Sequence, residues 1–259
     1  MKKILYLSFL VCLLLINCKT IEPAAQELED AQLPGEQVVT ENEQAGSGGL
    51  GIKVVGPPAP MFAPSSNILA SRAYDLGTQY LRENRLADAE RYLKEAIELD
   101  PVFVDAMDHL GMVYRRQNRL AEAEAMYLRS IELNRENKVP FMNLAVVYRL
   151  QNRLNEALDL YKIVIQLDQN DPEGYYGIGE LFYMVGDYRN AIPFFDKSIE
   201  LYNIVNSPYV YDAYFYRGMM YFRMEDYDAA LRYLEEARKA NPDNATIENT
   251  LNEIRNRKI

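Results

Sequence analysis

Few side chains in this 259-residue sequence could do chemistry. The only histidine, His109, stands beside Asp105 and Asp108. Asp105 and His109 are four apart, so on a helix they share a face and could grip a metal weakly. Two ligands, however, make neither a closed structural site nor an open catalytic one. An exposed histidine is the expected reading. The two cysteines, Cys12 and Cys18, both sit near the N-terminus, which leaves the rest of the chain without a disulfide or a thiolate metal site. No Ser-His-Asp or Cys-His set can be assembled from what remains. Carboxylates are plentiful, but most fall at solvent-facing helical positions with a basic residue one turn away, as Glu90 has Lys94. Gly46-Ser47-Gly48-Gly49-Leu50-Gly51 matches a dinucleotide-binding string. No strand pattern precedes it, and Pro57-Pro58 interrupts any helix after it, so the match carries no nucleotide site. Asn244-Ala245-Thr246 matches a glycosylation sequon and more simply caps a final helix. No enzyme, cofactor or metal is expected.

With catalysis set aside, the informative feature is repetition. Ala73-x-x-Leu76-Gly77-x-x-Tyr80, followed by Ala89, Leu93, Ala96 and Pro101, returns 34 residues later as Met107-x-x-Leu110-Gly111-x-x-Tyr114 with Ala123, Tyr127 and Ser130. Phe141-x-x-Leu144-Ala145-x-x-Tyr148 with Ala157 and Tyr161 follows, then Tyr175-x-x-Ile178-Gly179-x-x-Phe182 with Ala191 and Phe195. A fifth copy, Tyr214-x-x-Arg217-Gly218-x-x-Tyr221 with Ala230, Leu234, Ala237 and Pro242, comes after 39 residues. The spacing within each copy places its residues on one face of each of two helices, with the small residues letting the helices approach closely. Asn84, Asn118, Asn152 and Gly186 recur at the inner turn, where a helix-ending left-handed conformation is needed. Asp100-Pro101, Asp171-Pro172 and Asn241-Pro242 are expected to cap the following helices, and Ser65, Ser66 or Asn67 the first. The five extra residues between Glu200 and Tyr211 include Ser207-Pro208, which predicts a lengthened first helix in the fifth unit. Ile247, Leu251 and Ile254 mark a last helix, of the kind that caps an open array.

This pattern resembles the tetratricopeptide repeat (TPR), over roughly residues 70–242. The resemblance implies an all-α, right-handed superhelical solenoid of five TPR helix pairs, at 67–103, 104–137, 138–171, 172–206 and 207–244, plus a C-terminal capping helix at 245–259. It further implies that the first helix of each pair lines a concave groove. Tyr74 and Thr78, Asp108 and Met112, Met142 and Val146, Tyr176 and Glu180, and Phe215 and Met219 take the groove positions. Leu81, Arg115, Arg149, Tyr183 and Phe222 come one turn further. The rows lack the Lys, Asn and Arg set of the TPR subset that clamps a peptide's terminal carboxylate. What they offer is an apolar, aromatic surface with Arg115, Arg116 and Arg149 at its middle. Tyr74, Met112, Met142, Val146, Tyr176, Tyr183, Phe215, Met219 and Phe222 with these arginines form the expected partner-binding surface.

Ahead of the repeats, Lys2-Lys3 and the apolar run from Ile4 to Ile16 read as an export signal, too short to span a bilayer stably. The run ends at Leu15-Ile16-Asn17-Cys18, which resembles a bacterial lipobox with Asn17 in place of the usual small residue. That resemblance implies a signal peptide at 1–17 and lipid on Cys18, with several acyl chains making a stable anchor. Residues 19–66 are rich in Glu, Gln, Pro, Gly and Ser without helical period and are expected to be a disordered tether. Ile52-Lys53-Val54-Val55 could add a strand to a partner's sheet. A net charge of −10 gives no pull toward phosphate backbones, so nucleic acid is not an expected partner. The combined expectation is a lipid-anchored adaptor of the bacterial cell envelope, at the outer membrane facing the periplasm, that binds a protein or peptide in its groove. The alternatives are a periplasmic small-ligand-binding accessory of a transporter and a self-assembling structural module.

Overall fold

The 34-residue period is built as helical hairpins. The computed structural model describes residues 65–257, and the expected signal, Cys18, the glycine string and Ile52–Val55 lie outside them. Eleven α-helices and no strands occur among the described residues. They are α1 (Ile68–Arg82), α2 (Leu86–Leu99), α3 (Val104–Arg116), α4 (Leu120–Leu133), α5 (Lys138–Leu150), α6 (Leu154–Leu167), α7 (Pro172–Met184), α8 (Tyr188–Ile204), α9 (Val210–Arg223), α10 (Tyr227–Ala240) and α11 (Ala245–Arg257). They fall into two compact units, one of three hairpins up to Gln169 and one of two hairpins plus α11 from Asn170. No helix among the described residues is long and apolar enough to cross a membrane.

Within each hairpin the approach distance is set by one small residue facing one large residue sixteen positions on. A β-carbon on Gly77 would lie 2.7 Å from Leu93 Cγ, one on Gly111 2.7 Å from Tyr127 Cε1, one on Gly179 2.9 Å from the Phe195 ring, and one on Gly218 2.6 Å from Leu234 Cγ. Leu93, Tyr127, Phe195 and Leu234 are fully buried as a result, each contributing about 1.5–3 kcal/mol by leaving water. Ala145, fully buried, holds the same register in the third hairpin.

The inner turns are equally uniform. Asn84, Asn118, Asn152 and Gly186 all have positive φ, between 59° and 82°, as expected of residues that tolerate the left-handed region. Glu225 takes that role in the fifth turn, at φ 63°. The next residue's N–H then reaches back to close the helix: Arg85 to the Tyr80 carbonyl at 2.9 Å, Arg119 to Tyr114 at 2.9 Å, Arg153 to Tyr148 at 2.8 Å, Asp187 to Phe182 at 3.0 Å and Asp226 to Tyr221 at 2.9 Å.

The first unit adds a polar ladder that repeats with the hairpins. Arg119 lies over the Tyr114 ring at 4.3 Å and Arg153 over Tyr148 at 3.8 Å. Arg119 also pairs with Glu122 and, at 2.7 Å, with Glu90 of the preceding hairpin. Arg153 pairs with Glu156 at 2.5 Å and with Glu124 of the preceding hairpin at 2.9 Å. Glu90 does meet Lys94, at 2.6 Å, but its second oxygen serves the next repeat. In the second unit Asp187 and Asp226 stand where the arginines were, and their carboxylates cap α8 and α10 by accepting from Asn190 N and Ala229 N.

Several boundaries differ from expectation. Asn67 and Asp171 cap α1 and α7 as anticipated, the latter with Pro172 in the first turn. Asp100 and Asn241 instead close α2 and α10, at φ of −141° and −142°, and the following helices begin only at Val104 and Ala245. Buried Phe103 precedes α3, and Asn244 caps α11, as its place before the last helix leads one to expect, accepting from Thr246 N and Ile247 N. Near 206 the extra residues lengthen α8, to 17 residues, rather than α9, which has 14. Asn206, at φ 49°, ends α8, and Ser207 forms a short turn in which its hydroxyl accepts from Tyr209 N.

Two glycine substitutions separate packing from backbone strain. Gly111→Val drives a branched side chain into the Tyr127 ring and should cost about 2–3 kcal/mol of unfolding free energy. Gly186→Ala, with nothing within 4 Å but φ at +82°, should cost about 1 kcal/mol. Urea melts of both variants against the parent check the order; equal costs would show that close hairpin contact is not the controlling term.

Candidate functional site

The first helices of the hairpins present the side chains that packing leaves over. In the first unit Tyr74, Met112, Arg115, Met142, Val146 and Arg149 are half-buried and Arg116 is exposed. Two hollows of about 450 and 420 Å³ adjoin between α1 and α3, sharing Thr78, Arg82 and His109 as walls. Tyr74, Asp75, Leu76 and Gln79 complete one, and Leu81, Met112, Arg115 and Arg116 the other. Arg116 also braces the fold, since its Nη1 donates to the Leu81 carbonyl at 3.1 Å.

His109 is half-buried rather than exposed. Its Nδ1–H donates to the Asp105 backbone carbonyl at 2.9 Å, the Tyr74 hydroxyl lies 3.4 Å from the same nitrogen, and the two rings meet edge-on at 5.3 Å. That nitrogen therefore serves the helix backbone and not the Asp105 carboxylate. Burial lowers the His109 pKa and pushes the Tyr74 hydroxyl up to about 12. Asp105 and Asp108 are themselves buried, at 7% and 6% exposure. Loss of solvent pushes the Asp105 carboxyl up to about 6. The same cause, with Asp105 adding to it against the pull of the Ser130 hydroxyl, takes Asp108 to about 7. Sequence reasoning placed Asp108 in the groove but missed its burial, because a charged residue on a first helix reads as solvated. Among the described residues no group of three or more His, Cys, Asp or Glu side chains could hold a metal ion.

The second unit is aromatic. Tyr176 and Tyr183 on α7 and Phe215 on α9 converge on Tyr216, at centroid distances of 6.0, 5.1 and 6.0 Å, and Tyr216 stacks on buried Phe195 at 5.6 Å. Tyr188 joins Tyr183 at 5.5 Å. Tyr176, Tyr183, Phe215 and Met219 stay half-buried. Phe222 is drawn elsewhere. With Phe215 it packs on the Leu234, Ile247, Leu251 and Ile254 cluster, and Arg257 of α11 lies 5.1 Å over its ring. Desolvation raises the hydroxyl pKa of Tyr176 and of Tyr202, and the latter donates to Glu173 Oε1 at 2.8 Å. Tyr176 and Tyr202 are thus neutral phenols. Tyr216 escaped notice in the sequence because it lies one residue past a groove position, on the side facing α8.

Hairpins closed on a small residue, with a left-handed inner turn and a 34-residue period, define a class, and comparison with known proteins agrees. The tetratricopeptide repeat model matches residues 171–243, and that of the cilia and flagella-associated protein 70 middle TPR-like domain matches residues 65–169. The chain is a tetratricopeptide-repeat protein. No curated protein matches it. Among solved structures it is similar to the APC/C hetero-tetramer Cut9–Hcn1, at a TM-score of 0.65 and 20% identity over 73% of this chain and 37% of that one. It thus spans little more than a third of that chain. It is similar to TTC0263, a thermophilic TPR protein of Thermus thermophilus, at a TM-score of 0.60 and 15% identity over 71% and 98% of the two chains. It is also similar to YrrB, described as a TPR protein with an unusual peptide-binding site, at a TM-score of 0.50 and 24% identity over 70% and 91%. At these identities the likeness is one of fold.

The buried carboxyls give a signed pH dependence. Folded Asp108 and Asp105 hold protons up to about pH 7 and 6, whereas unfolded they release them near 3.8. Their contribution is therefore full below about pH 3.8, is lost progressively as pH rises from there through the folded values of about 6 and 7, and is regained on acidification. Below about 6.5 His109, with its lowered pKa, works in the opposite sense. Asp108→Asn should remove about 1 kcal/mol of the stability change between pH 6.5 and 8, read from urea melts at the two pH values; an unchanged difference would mean that Asp108 ionises freely.

Proposed function

We propose that the protein is a membrane-anchored adaptor of the bacterial cell envelope, at the outer membrane and facing the periplasm, which holds a protein or peptide partner on its first-helix surface. Tetratricopeptide repeats are scaffolds for protein–protein interaction, and the chain's described residues are made of them. One observation carries the binding reading: in the second unit Tyr176, Tyr183, Phe215 and Met219 keep part of their surface exposed around Tyr216, although the hairpin cores are already closed by Phe195 and Leu234. Aromatic rings and methionine supply large contact area and adaptable packing to a partner segment. The peptide-binding site for which YrrB is described gives an analogy for this use of the fold. The anchor rests on the lipobox-like Leu15-Ile16-Asn17-Cys18, and it keeps the repeats close to the membrane where partners are held.

Two measurements test the two parts separately. Tyr183→Gln with Met219→Gln should reduce partner recovery in a pull-down from envelope extract at least tenfold while far-UV circular dichroism stays unchanged. Full recovery would remove the aromatic face from the reading. Cys18→Ser should move the protein from the membrane fraction to the soluble one, and continued sedimentation with membranes would end the lipid-anchor reading.

A further inference from the structure

The start of the array leaves uncovered a face that the later hairpins of the first unit bury. On α3 that face carries Phe103, Ala106, Leu110, Val113 and Tyr114, all buried where α2 packs against it. On α5, Asn137, Pro140, Leu144, Val147 and Tyr148 hold the same places against α4 and are buried too. The same register on α1 gives Leu69, Arg72, Leu76, Gln79 and Tyr80, with no hairpin before them among the described residues. Leu69 is 55% exposed and Leu76 39%, while Tyr80 is half-buried with its ring stacked on Tyr92 at 5.4 Å. The last helix is finished differently: in α11, Asn249, Asn252, Glu253 and Arg255 are exposed, and Ile247, Leu251 and Ile254 are buried. Covering apolar surface gains about 25 cal/mol per Å², so α1 presents a face that a matching segment would stabilise.

We propose that the cover is the chain's own segment from Leu50 to Phe62, laid in extended form along this face of α1. Residues 19–43 carry seven acidic side chains, but from Gln44 to Pro64 there is none, and the one charge is Lys53. Ile52, Val54, Val55, Met61 and Phe62 make this the apolar stretch nearest the repeats. Its point of attachment is fixed beside the face. The Ser65 hydroxyl donates to Asp100 Oδ2, Asn67 Nδ2 donates to the Leu99 carbonyl at 2.9 Å, and the Ser71 hydroxyl donates to the Ser65 carbonyl at 3.2 Å. Pro57, Pro58 and Pro60 favour the polyproline II form, which rises about 3.1 Å per residue, so the chain from Val54 to Ser65 covers about 34 Å. The whole of α1 is shorter, at roughly 22 Å. Met61 and Phe62 thus come against Leu69, and Val54 and Val55 reach Leu76 and Tyr80. Polyproline segments dock on aromatic surfaces because they have little chain entropy left to lose, and the Tyr80–Tyr92 pair supplies such a surface. A second copy fits less well. Arg72 stands where Ala106 and Pro140 let a neighbouring helix come close, and its long side chain holds off a helix but not a thin extended strand. The join at Ser65 also keeps the segment at about millimolar effective concentration, well above that of a second molecule. The segment divides the expected tether, leaving residues 19–49 as spacer, and needs neither the lipid anchor nor the aromatic face.

The test uses the full chain with Cys12→Ser and Cys18→Ser, so that introduced cysteines are the only ones. Val54→Cys with Gln79→Cys should oxidise to an intramolecular disulfide in at least fivefold higher yield than Val54→Cys with Glu98→Cys. Glu98 is exposed, as are its counterparts Glu132 and Gln166, and it lies two residues from the Asp100 that holds Ser65. A loose segment would therefore favour Glu98. The sequence has no tryptophan, so Phe62→Trp gives a single reporter. Its emission should lie at shorter wavelength than that of free N-acetyltryptophanamide. Adding Leu69→Gln and Leu76→Gln should move it to the free value while far-UV circular dichroism stays unchanged. Equal disulfide yields, or an emission already at the free value, would overturn the proposal. So would a dimer in sedimentation equilibrium that the Leu69→Gln and Leu76→Gln changes dissociate, which would give the face to a second copy.

Discussion

Each hairpin rests on one steric constraint: a helix can lie against its neighbour only where a missing side chain admits a large one. Leu93, Tyr127, Phe195 and Leu234 each fill the space that Gly77, Gly111, Gly179 and Gly218 leave open. This contact brings the helices together and determines which residues become core and which remain on the surface. With the hairpin interior filled by the second helix, the first helix keeps a stripe of side chains that its own fold does not use. The tyrosines and methionine of α7 and α9 and the arginines beside His109 belong to that stripe. The surface proposed for a partner is in this sense what remains once the glycine contacts are satisfied.

The two units meet the same requirement at the inner turn in different ways. Arg85, Arg119 and Arg153 use a cation stacked on tyrosine and paired with carboxylates, and the latter two join one hairpin to the one before it. Asp187 and Asp226 use a side-chain cap on the next helix. The exposed ion pairs contribute little singly, but Arg119 and Arg153 each engage several partners in one geometry, which restrains the turn more than any single pair would. Within the second unit the corresponding tie is between side chains of α8 and α9, where Arg217 pairs with Asp196 and lies 4.2 Å over Tyr233.

Much of the fold was legible because its rules are local and recur. The small residue, the left-handed asparagine and the bulky residue sixteen positions on each appear several times, so an isolated coincidence cannot imitate them. The caps misread at Asp100 and Asn241 show the limit of that legibility. An acidic or amide residue before proline suits either end of a helix, and only the buried Phe103 and the competing cap at Asn244 decide between them. The extra residues near 206 are similar, since Ser-Pro is a sound helix start, yet α8 had not finished by then. Of the site, position along the first helices was readable and burial was not. Asp108 and His109 look like surface residues until α4 and the Tyr74 ring are placed beside them, and Phe222 looks like groove until α11 covers it.

The ties between hairpins of the first unit have a further consequence for how the molecule comes into being. Glu90 with Arg119 and Glu124 with Arg153 each join residues only 29 positions apart. No step in building a hairpin has to wait for a distant part of the sequence, and short loops close at small entropic cost. Topologies of this kind acquire their structure quickly. Each of these hairpins can therefore consolidate on the one before it while later residues are still being delivered, whether from a ribosome or through a translocation pore.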